Sequence, residues 1–83
     1  MTTQSQEEFI VNNMNIVKNI ASKYYTDKIG LDYEDLVSYG VMGLIDARKK
    51  FDESRGVKFS TYASIRVSSF IIDEIRKYSP VSR

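Results

Sequence analysis

The stretch RGVKFSTY, residues 55–62, places two cations beside two aromatic rings. Arg55 and Lys58 come first, and the rings of Phe59 and Tyr62 follow within the next four positions. Cations neutralise phosphates and aromatic faces accept unstacked bases, a combination typical of proteins that bind single-stranded nucleic acid. A structural interpretation competes with this one, in which Phe59 fills the core at a helix entry and Tyr62 is an ordinary surface aromatic.

The chain offers little for catalysis or metal binding. Its 83 residues contain no histidine and no cysteine, which removes imidazole bases, thiolate nucleophiles, disulfides and the usual zinc ligands. Asp73 and Glu74 are adjacent in sequence and therefore point to different sides of a helix, so they form no convincing acid–base pair. We expect a binding protein that is not an enzyme and needs no cofactor or metal.

The sequence contains no segment that suggests a membrane or an export signal. No apolar run approaches the roughly 20 residues that span a bilayer. The first residues, MTTQSQEEF, are polar and acidic and lack the basic and apolar parts of a signal peptide. We expect a cytoplasmic protein without membrane contact.

Charge is distributed unevenly along the chain, although the formal net charge is only +1. Residues 1–47 hold three basic and seven acidic side chains, whereas residues 48–83 hold nine and four. Two ends that bind different partners would explain this division, while ordinary variation on a solvated surface is the simpler alternative.

Three amphipathic segments must position these residues. Apolar side chains recur with helical spacing from about Gln6 to Thr26, and the asparagines at positions 12, 13 and 15 favour a kink or a split into two helices. A second helix is predicted from about Tyr33 to Lys50, with Asp32 as its cap.

The third predicted helix follows a turn that contains Gly56, a residue able to adopt positive φ. Ser60 is its predicted cap. The helix should end near Tyr78, because Pro80 prevents continuation. Helices joined by such short connections predict a single all-α domain, a compact bundle of three to four helices.

The second helix has two apolar faces. One is a predicted core stripe, whose members are Leu36, Gly40, Gly43, Leu44, Ala47 and Phe51. The roughly opposite face comprises Asp35, Ser38, Val41, Met42, Ile45 and Lys49. Apolar groups bordered by charges predict a docking site for another protein; packing against a further part of the same chain is the alternative.

The third helix carries a polar stripe opposite its apolar side. The stripe follows spacings of three and four residues through Tyr62, Arg66, Ser69, Asp73 and Arg76, and such an edge could lie along nucleic acid. The predicted buried side comprises Ile65, Val67, Phe70, Ile71, Ile72 and Ile75.

Two segments carry a specific resemblance. DLVSYGVMGLIDARKKFD, residues 35–52, and RGVKFSTYASIRVSSFIIDEIRK, residues 55–77, strongly resemble region 2 of bacterial RNA polymerase sigma factors of the sigma-70 family, especially the motility and sporulation types. NMNIVKNIASKYY, residues 13–25, is similar to the preceding helix of that family. The resemblance covers about residues 9–83.

The resemblance implies that the second helix binds the clamp helices of the β′ subunit of core RNA polymerase. The positions carried over to that contact are Asp35, Ser38, Val41, Met42 and Ile45. They coincide with most of the second apolar face of this helix, which Lys49 completes. The helical pattern and the resemblance therefore predict the same polymerase-binding surface.

The resemblance also implies that the turn and the third helix recognise promoter DNA, melting the minus-ten element and holding flipped bases of its non-template strand. The positions that would handle melting are Arg55, Lys58, Phe59, Ser60, Thr61 and Tyr62. Those that would face the upstream part of the element are Arg66, Ser69, Ile72 and Asp73. Asn13 aligns with a family asparagine near the last flipped base.

This chain departs from the family pattern at three positions. Housekeeping members carry a tryptophan pair where Ile65 and Arg66 stand, and motility types usually have arginine where Ser68 stands. The resemblance then implies weaker melting and dependence on a closely matching promoter. It further implies that residues 1–83 are region 2 excised from a longer chain, because nothing here corresponds to the family's domain for the minus-thirty-five element.

A second hypothesis comes from the class of interaction proteins. In it the chain is a helical adaptor or an anti-sigma-binding module that does not bind DNA alone, and its Val41, Met42 and Ile45 face binds the partner. An anti-sigma factor is accordingly a further candidate partner. Strand-specific DNA binding would distinguish the two hypotheses.

Overall fold

A computed structural model of the chain describes residues 5–28 and 30–78. Within these ranges it contains no strand, and its elements are α1 (Gln6–Asn12), α2 (Met14–Tyr24), α3 (Tyr33–Lys50), a 3₁₀ turn (Glu53–Arg55) and α4 (Phe59–Tyr78). The predicted all-α class is confirmed, and α3 has the predicted bounds. The expectation that Pro80 ends the last helix lies outside the described residues.

The first predicted helix is split into α1 and α2 at Asn13. A capping box begins α1, in which the Ser5 hydroxyl accepts from the Glu8 N–H and the Glu8 carboxylate accepts from the Ser5 N–H. At its end the Asn13 side-chain amide donates to the Phe9 carbonyl at 2.8 Å. Asparagine side chains compete with the backbone for such partners, which explains the predicted interruption at this position.

Helix α3 begins with a second capping box. Asp32 is its N-cap, as predicted, and the Asp32 N–H donates to the Asp35 carboxylate at 3.1 Å. Acidic residues occupy its first turn and basic residues its last, an arrangement that the helix dipole favours at both ends. Asp35, assigned above to polymerase binding, therefore also stabilises the start of its own helix.

Helices α3 and α4 pack most extensively, and α2 lies against both. Gly40 and Gly43 make the close approach possible, because a Cβ on Gly43 would lie 2.9 Å from the Arg66 carbonyl oxygen and from the Val67 Cα. The predicted core stripe of α3 is buried except for Phe51, which is half-buried. The buried apolar side chains are Phe9, Val17, Ala21, Leu31, Leu36, Leu44, Ala47, Ala63, Val67 and Ile71.

Three local predictions were wrong. Ser60 does not cap α4, because the helix begins at Phe59 and the Lys58 carbonyl already accepts from the Tyr62 N–H at 3.1 Å. Ile65, assigned to the buried side, is 59% exposed, since α4 turns it away from α3. Val41, expected on an uncovered face, is half-buried and packs against the core.

Of the helices within residues 5–28 and 30–78, none has the length and apolar character needed to cross a membrane.

Candidate functional site

The 3₁₀ turn between α3 and α4 is held by Asp52 and Gly56. The Asp52 carboxylate accepts from the Ser54 hydroxyl at 2.6 Å and from the Ser54 N–H at 3.0 Å. These bonds favour the charged form and lower the pKa of Asp52 below its ordinary value. Gly56 has a φ of 77°, in the left-handed region that favours glycine, as the turn prediction required.

A cleft of about 310 Å³ opens beside this turn. Its lining combines cations, aromatic rings and one carboxylate, contributed by Lys50, Phe51, Asp52, Arg55, Val57 and Tyr62. Arg55 and Tyr62 were predicted as DNA-binding residues, and the fold brings them to one cavity. Lys50, Phe51 and Val57 were missed, although the KKF sequence at the end of α3 repeats the pairing of cations and ring.

A series of aromatic side chains in contact, called the ring chain below, connects α1 to the cleft. Phe9 contacts Phe59 with centroids 5.5 Å apart, Phe59 contacts Phe51 at 5.3 Å, and Phe51 contacts Tyr62 at 5.8 Å. Phe59 and Tyr62 are both half-buried and pack against the core, and Tyr62 also lines the wall of the cleft. The structural interpretation of Phe59 thus has direct contacts in its favour.

The other predicted DNA-binding residues differ in exposure. Lys58, Ser60, Thr61 and Asp73 are exposed, while Ser69 and Ile72 are half-buried. Asn13 is half-buried at the junction of α1 and α2, with its amide bonded to the Phe9 carbonyl.

Arg66 is not a free cation. Its Nε and Nη2 atoms donate to the Oδ2 atom of Asp46 at 2.9 and 2.6 Å, and the Lys50 Nζ lies 3.2 Å from Oδ1 of the same carboxylate. Burial acts to raise the pKa of Asp46, but hydrogen bonds from Arg66 and Lys50 outweigh it, so the pKa lies below the ordinary value. Asp46 was missed because its partner is 20 positions away on another helix.

A groove between α3 and α4 is bordered by the predicted docking face of α3. This face is called the α3 strip from here on and comprises Asp35, Ser38, Val41, Met42, Ile45 and Lys49. Asp35, Ser38, Met42 and Lys49 are exposed, and Ile45 is half-buried. Two adjoining hollows of about 390 and 280 Å³ share Met42 and Phe70. Their other lining residues are Tyr39, Ile45, Asp46, Lys49, Asp73, Glu74 and Lys77.

Tyr39 of α3 and Glu74 of α4 line the same hollow. Hydrogen bonding to Glu74, together with burial and nearby negative charge, raises the pKa of Tyr39. The predicted strip is therefore one wall of a hollow whose second wall belongs to α4.

Comparison with known proteins identifies the family of this chain. Residues 9–80 match the family model described as Sigma-70 region 2. The chain is 39% identical over 74 residues to RNA polymerase sigma factor FliA of Pseudomonas aeruginosa, covering 88% of this chain and 30% of that protein. It is 57% identical over 44 residues to RNA polymerase sigma-D factor of Bacillus subtilis, covering 53% and 17%.

A third relative is RNA polymerase sigma factor SigA of Microcystis aeruginosa, with 43% identity over 61 residues, covering 74% of this chain and 14% of that protein. This all-α chain belongs to the sigma-70 region 2 family. It spans less than a third of the length of these relatives.

Proposed function

We propose that this chain is the promoter-recognition domain of a sigma factor. It attaches to the β′ subunit of core RNA polymerase through the α3 strip, and it recognises and opens the minus-ten element with the turn and α4. It works in the cytoplasm as a binding protein without a catalytic group. The observation that carries this proposal is the cleft lined by Lys50, Phe51, Arg55 and Tyr62, in a chain that belongs to the sigma-70 region 2 family.

The cleft suits a base removed from a duplex. Its volume of about 310 Å³ lies near the lower end of the range for small-molecule sites, which is roughly 300–1,000 Å³. Tyr62 and Phe51 offer aromatic surface to the base, and Lys50 and Arg55 attract the flanking phosphates. Extruding a base costs a few kcal/mol, which stacking of about 1–3 kcal/mol per base offsets in part.

The DNA-binding part of the proposal is tested with Tyr62→Ala. We expect weaker binding of a fluorescent single-stranded non-template oligonucleotide, measured by anisotropy at fixed salt, by roughly 5- to 100-fold because one stacking surface is lost. Tyr78→Ala is the matched control, since Tyr78 is an exposed tyrosine at the far end of the same helix and does not line the cleft. Equal binding by both variants would contradict the assignment of Tyr62.

The polymerase-binding part rests on the exposed apolar surface of α3. Met42 is 52% exposed beside half-buried Ile45, and the charged groups of Asp35 and Lys49 border them. An apolar centre within a polar rim is the usual anatomy of a protein interface, and its central side chains carry most of the binding free energy.

Met42→Glu tests this surface. We expect the variant to fold and to lose measurable binding to core RNA polymerase in a pull-down, because a carboxylate would enter the apolar centre. Val11→Glu is the matched control, since Val11 is exposed on α1 outside the strip. Asp35 is a poorer probe, because its carboxylate accepts the capping bond from Asp32 and its reversal would also disturb α3. Full retention of binding by Met42→Glu would exclude this face as the contact.

A second candidate function is a helical module that binds an anti-sigma factor and does not contact DNA by itself. One observation favours it, namely that Asp46 already neutralises Arg66, which belongs to the polar stripe of α4 proposed to contact DNA. Anisotropy with the non-template and template oligonucleotides separates the two functions. Preference for the non-template strand supports promoter recognition, and binding of neither strand supports the module.

A further inference from the structure

The Asp46–Arg66 pair lies between the two proposed binding surfaces. Asp46 lines the groove beside Met42, Ile45 and Lys49, whereas Arg66 belongs to the polar stripe of α4. The Asp46 side chain is 19% exposed and that of Arg66 is 32% exposed, so solvent screens the pair only partly.

The close packing of α3 against α4 brings the two side chains together. Gly43 lies one turn before Asp46, and the backbone of Arg66 passes so near that a Cβ on Gly43 would lie 2.9 Å from its carbonyl oxygen. The Arg66 guanidinium also lies over the ring of Phe70, 5.7 Å from its centroid. The guanidinium is thus held by a carboxylate and a ring together.

The pair uses only part of the hydrogen-bonding capacity of Arg66. A guanidinium has five N–H donors in a rigid plane, and two of its nitrogens donate to Asp46 Oδ2. The second oxygen of Asp46 is taken by Lys50, so the carboxylate has a cation on each side. The other N–H groups of Arg66 lie in the same fixed guanidinium plane, on a side chain that is partly exposed.

A nearby carboxylate weakens the attraction of Arg66 to a phosphate, because it offsets the positive charge that the phosphate would meet. Hydrogen bonds to the edge of a base depend strongly on the direction of the donor, and a fixed guanidinium suits them. The pairing therefore favours recognition of a base edge over contact with the DNA backbone.

We propose that Asp46 is a positioning residue for promoter recognition, which orients the Arg66 guanidinium so that its remaining donors read an acceptor on a base edge. This inference rests on the proposed DNA-binding function. Asp46 acts through Arg66 and makes no contact with DNA itself. It is a specificity determinant on the helix that otherwise faces the polymerase.

The experiment measures base preference at each position of the promoter. The protein is assembled with core RNA polymerase of its own cell and offered a pool of duplex DNA that is randomised through the minus-ten segment. Bound DNA is recovered and sequenced. We expect Asp46→Asn to reduce enrichment of the preferred base at one position by at least about fivefold and to leave the other positions unchanged.

Four further variants complete the test. Arg66→Ala should lose preference at the same position, and the double variant should lose no more than either single variant, because Asp46 acts only through Arg66. Asp27→Asn removes an exposed carboxylate from the loop before α3 and should keep every preference, which controls for the change in net charge.

Arg66→Lys keeps the charge and removes the planar fork, so it should also lose the preference at that position. This variant decides the question if Asp46→Asn fails to fold in a thermal unfolding measurement.

Each other result has a defined meaning. If Asp46→Asn keeps or sharpens the preference, or loses it equally at all positions, the positioning role is overturned while promoter recognition stands. Retention of the preference by Arg66→Lys overturns it as well. Absence of any enrichment by the unaltered protein overturns the proposed function itself and this inference with it.

Discussion

At the residue scale, Asp46 holds two cations that lie on different helices. Lys50 follows one turn later on α3, and Arg66 reaches the carboxylate from α4. Burial acts to raise the pKa of Asp46, and the hydrogen bonds from Arg66 and Lys50 lower it by more. Because the pKa is lower in the folded chain than in the unfolded chain, the ionised carboxylate stabilises the fold at neutral pH.

This linkage predicts how stability depends on pH. The contribution of Asp46 is fully present above the ordinary value of 3.8 and is lost as pH falls through the lower pKa of the folded state. We expect Asp46→Asn to be less stable than the parent at pH 7 and the difference to shrink below about pH 4. Urea unfolding across this range measures it, and a difference that grows on acidification would contradict the assignment.

Residue types alone indicated part of the candidate site. Arg55 and Tyr62 could be proposed for nucleic-acid binding because a cation and a ring stand close together in sequence. Asp46 could not, since its pairing with Arg66 depends on where two helices cross and the two residues are 20 positions apart. Phe51 was assigned to the core, and it does pack on Phe59, yet one part of it also lines the cleft.

At the scale of elements, the seam between α3 and α4 decides the geometry of the site. A Cβ added at Gly43 would meet backbone atoms of α4, whereas the atoms nearest to a Cβ added at Gly40 belong to the side chains of Val17, Val67 and Ile71. A backbone cannot move aside as a side-chain end does. The two glycines therefore differ in how strictly the seam requires them.

Gly43→Ala should separate α3 from α4. We expect a loss of about 1–2 kcal/mol in the free energy of unfolding, since overpacking costs roughly 1–3 kcal/mol and improved helix propensity returns up to about 1. The unfolding temperature should fall by roughly 4–8 °C per kcal/mol. Gly40→Ala is the comparison and should lose less; a Gly43→Ala variant as stable as the parent would contradict the tight seam.

Helical periodicity was sufficient to place the elements but not all of their ends. The bounds of α3 were predicted because Asp32 provides a clear cap and a cationic last turn marks the end. The start of α4 was missed by two residues because the Lys58 carbonyl accepts the first helical bond without a side-chain cap. Ile65 was misplaced because α4 is apolar over more of its surface than α3 covers.

At the scale of the whole molecule, α1 supports a cleft to which it contributes no lining residue. The Phe9 ring packs on Phe59 at one end of the ring chain, and the Arg48 guanidinium lies 4.9 Å from the centroid of Phe9. Tyr62 stands at the other end of the chain, in the wall of the cleft. The shape of the cleft therefore depends on the first helix as well as on the helices that line it.

Phe9→Ala tests this dependence. We expect a loss of roughly 3 kcal/mol in the free energy of unfolding, because a buried ring is removed, together with weaker binding of the non-template oligonucleotide under folding conditions. Val11→Ala, at an exposed position of the same helix, should change stability by less than about 0.5 kcal/mol. Unchanged oligonucleotide binding by a folded Phe9→Ala protein would show that the cleft does not depend on the contact between Phe9 and Phe59.

The contact between Phe9 and Phe59 also limits how the chain can be recombined with its relatives. A chimera that replaces residues 5–13 of this chain with the corresponding segment of a relative takes the two partners of this aromatic contact from different proteins. Grafts that end at the natural break before α2 should then lose stability unless both rings are exchanged as a unit.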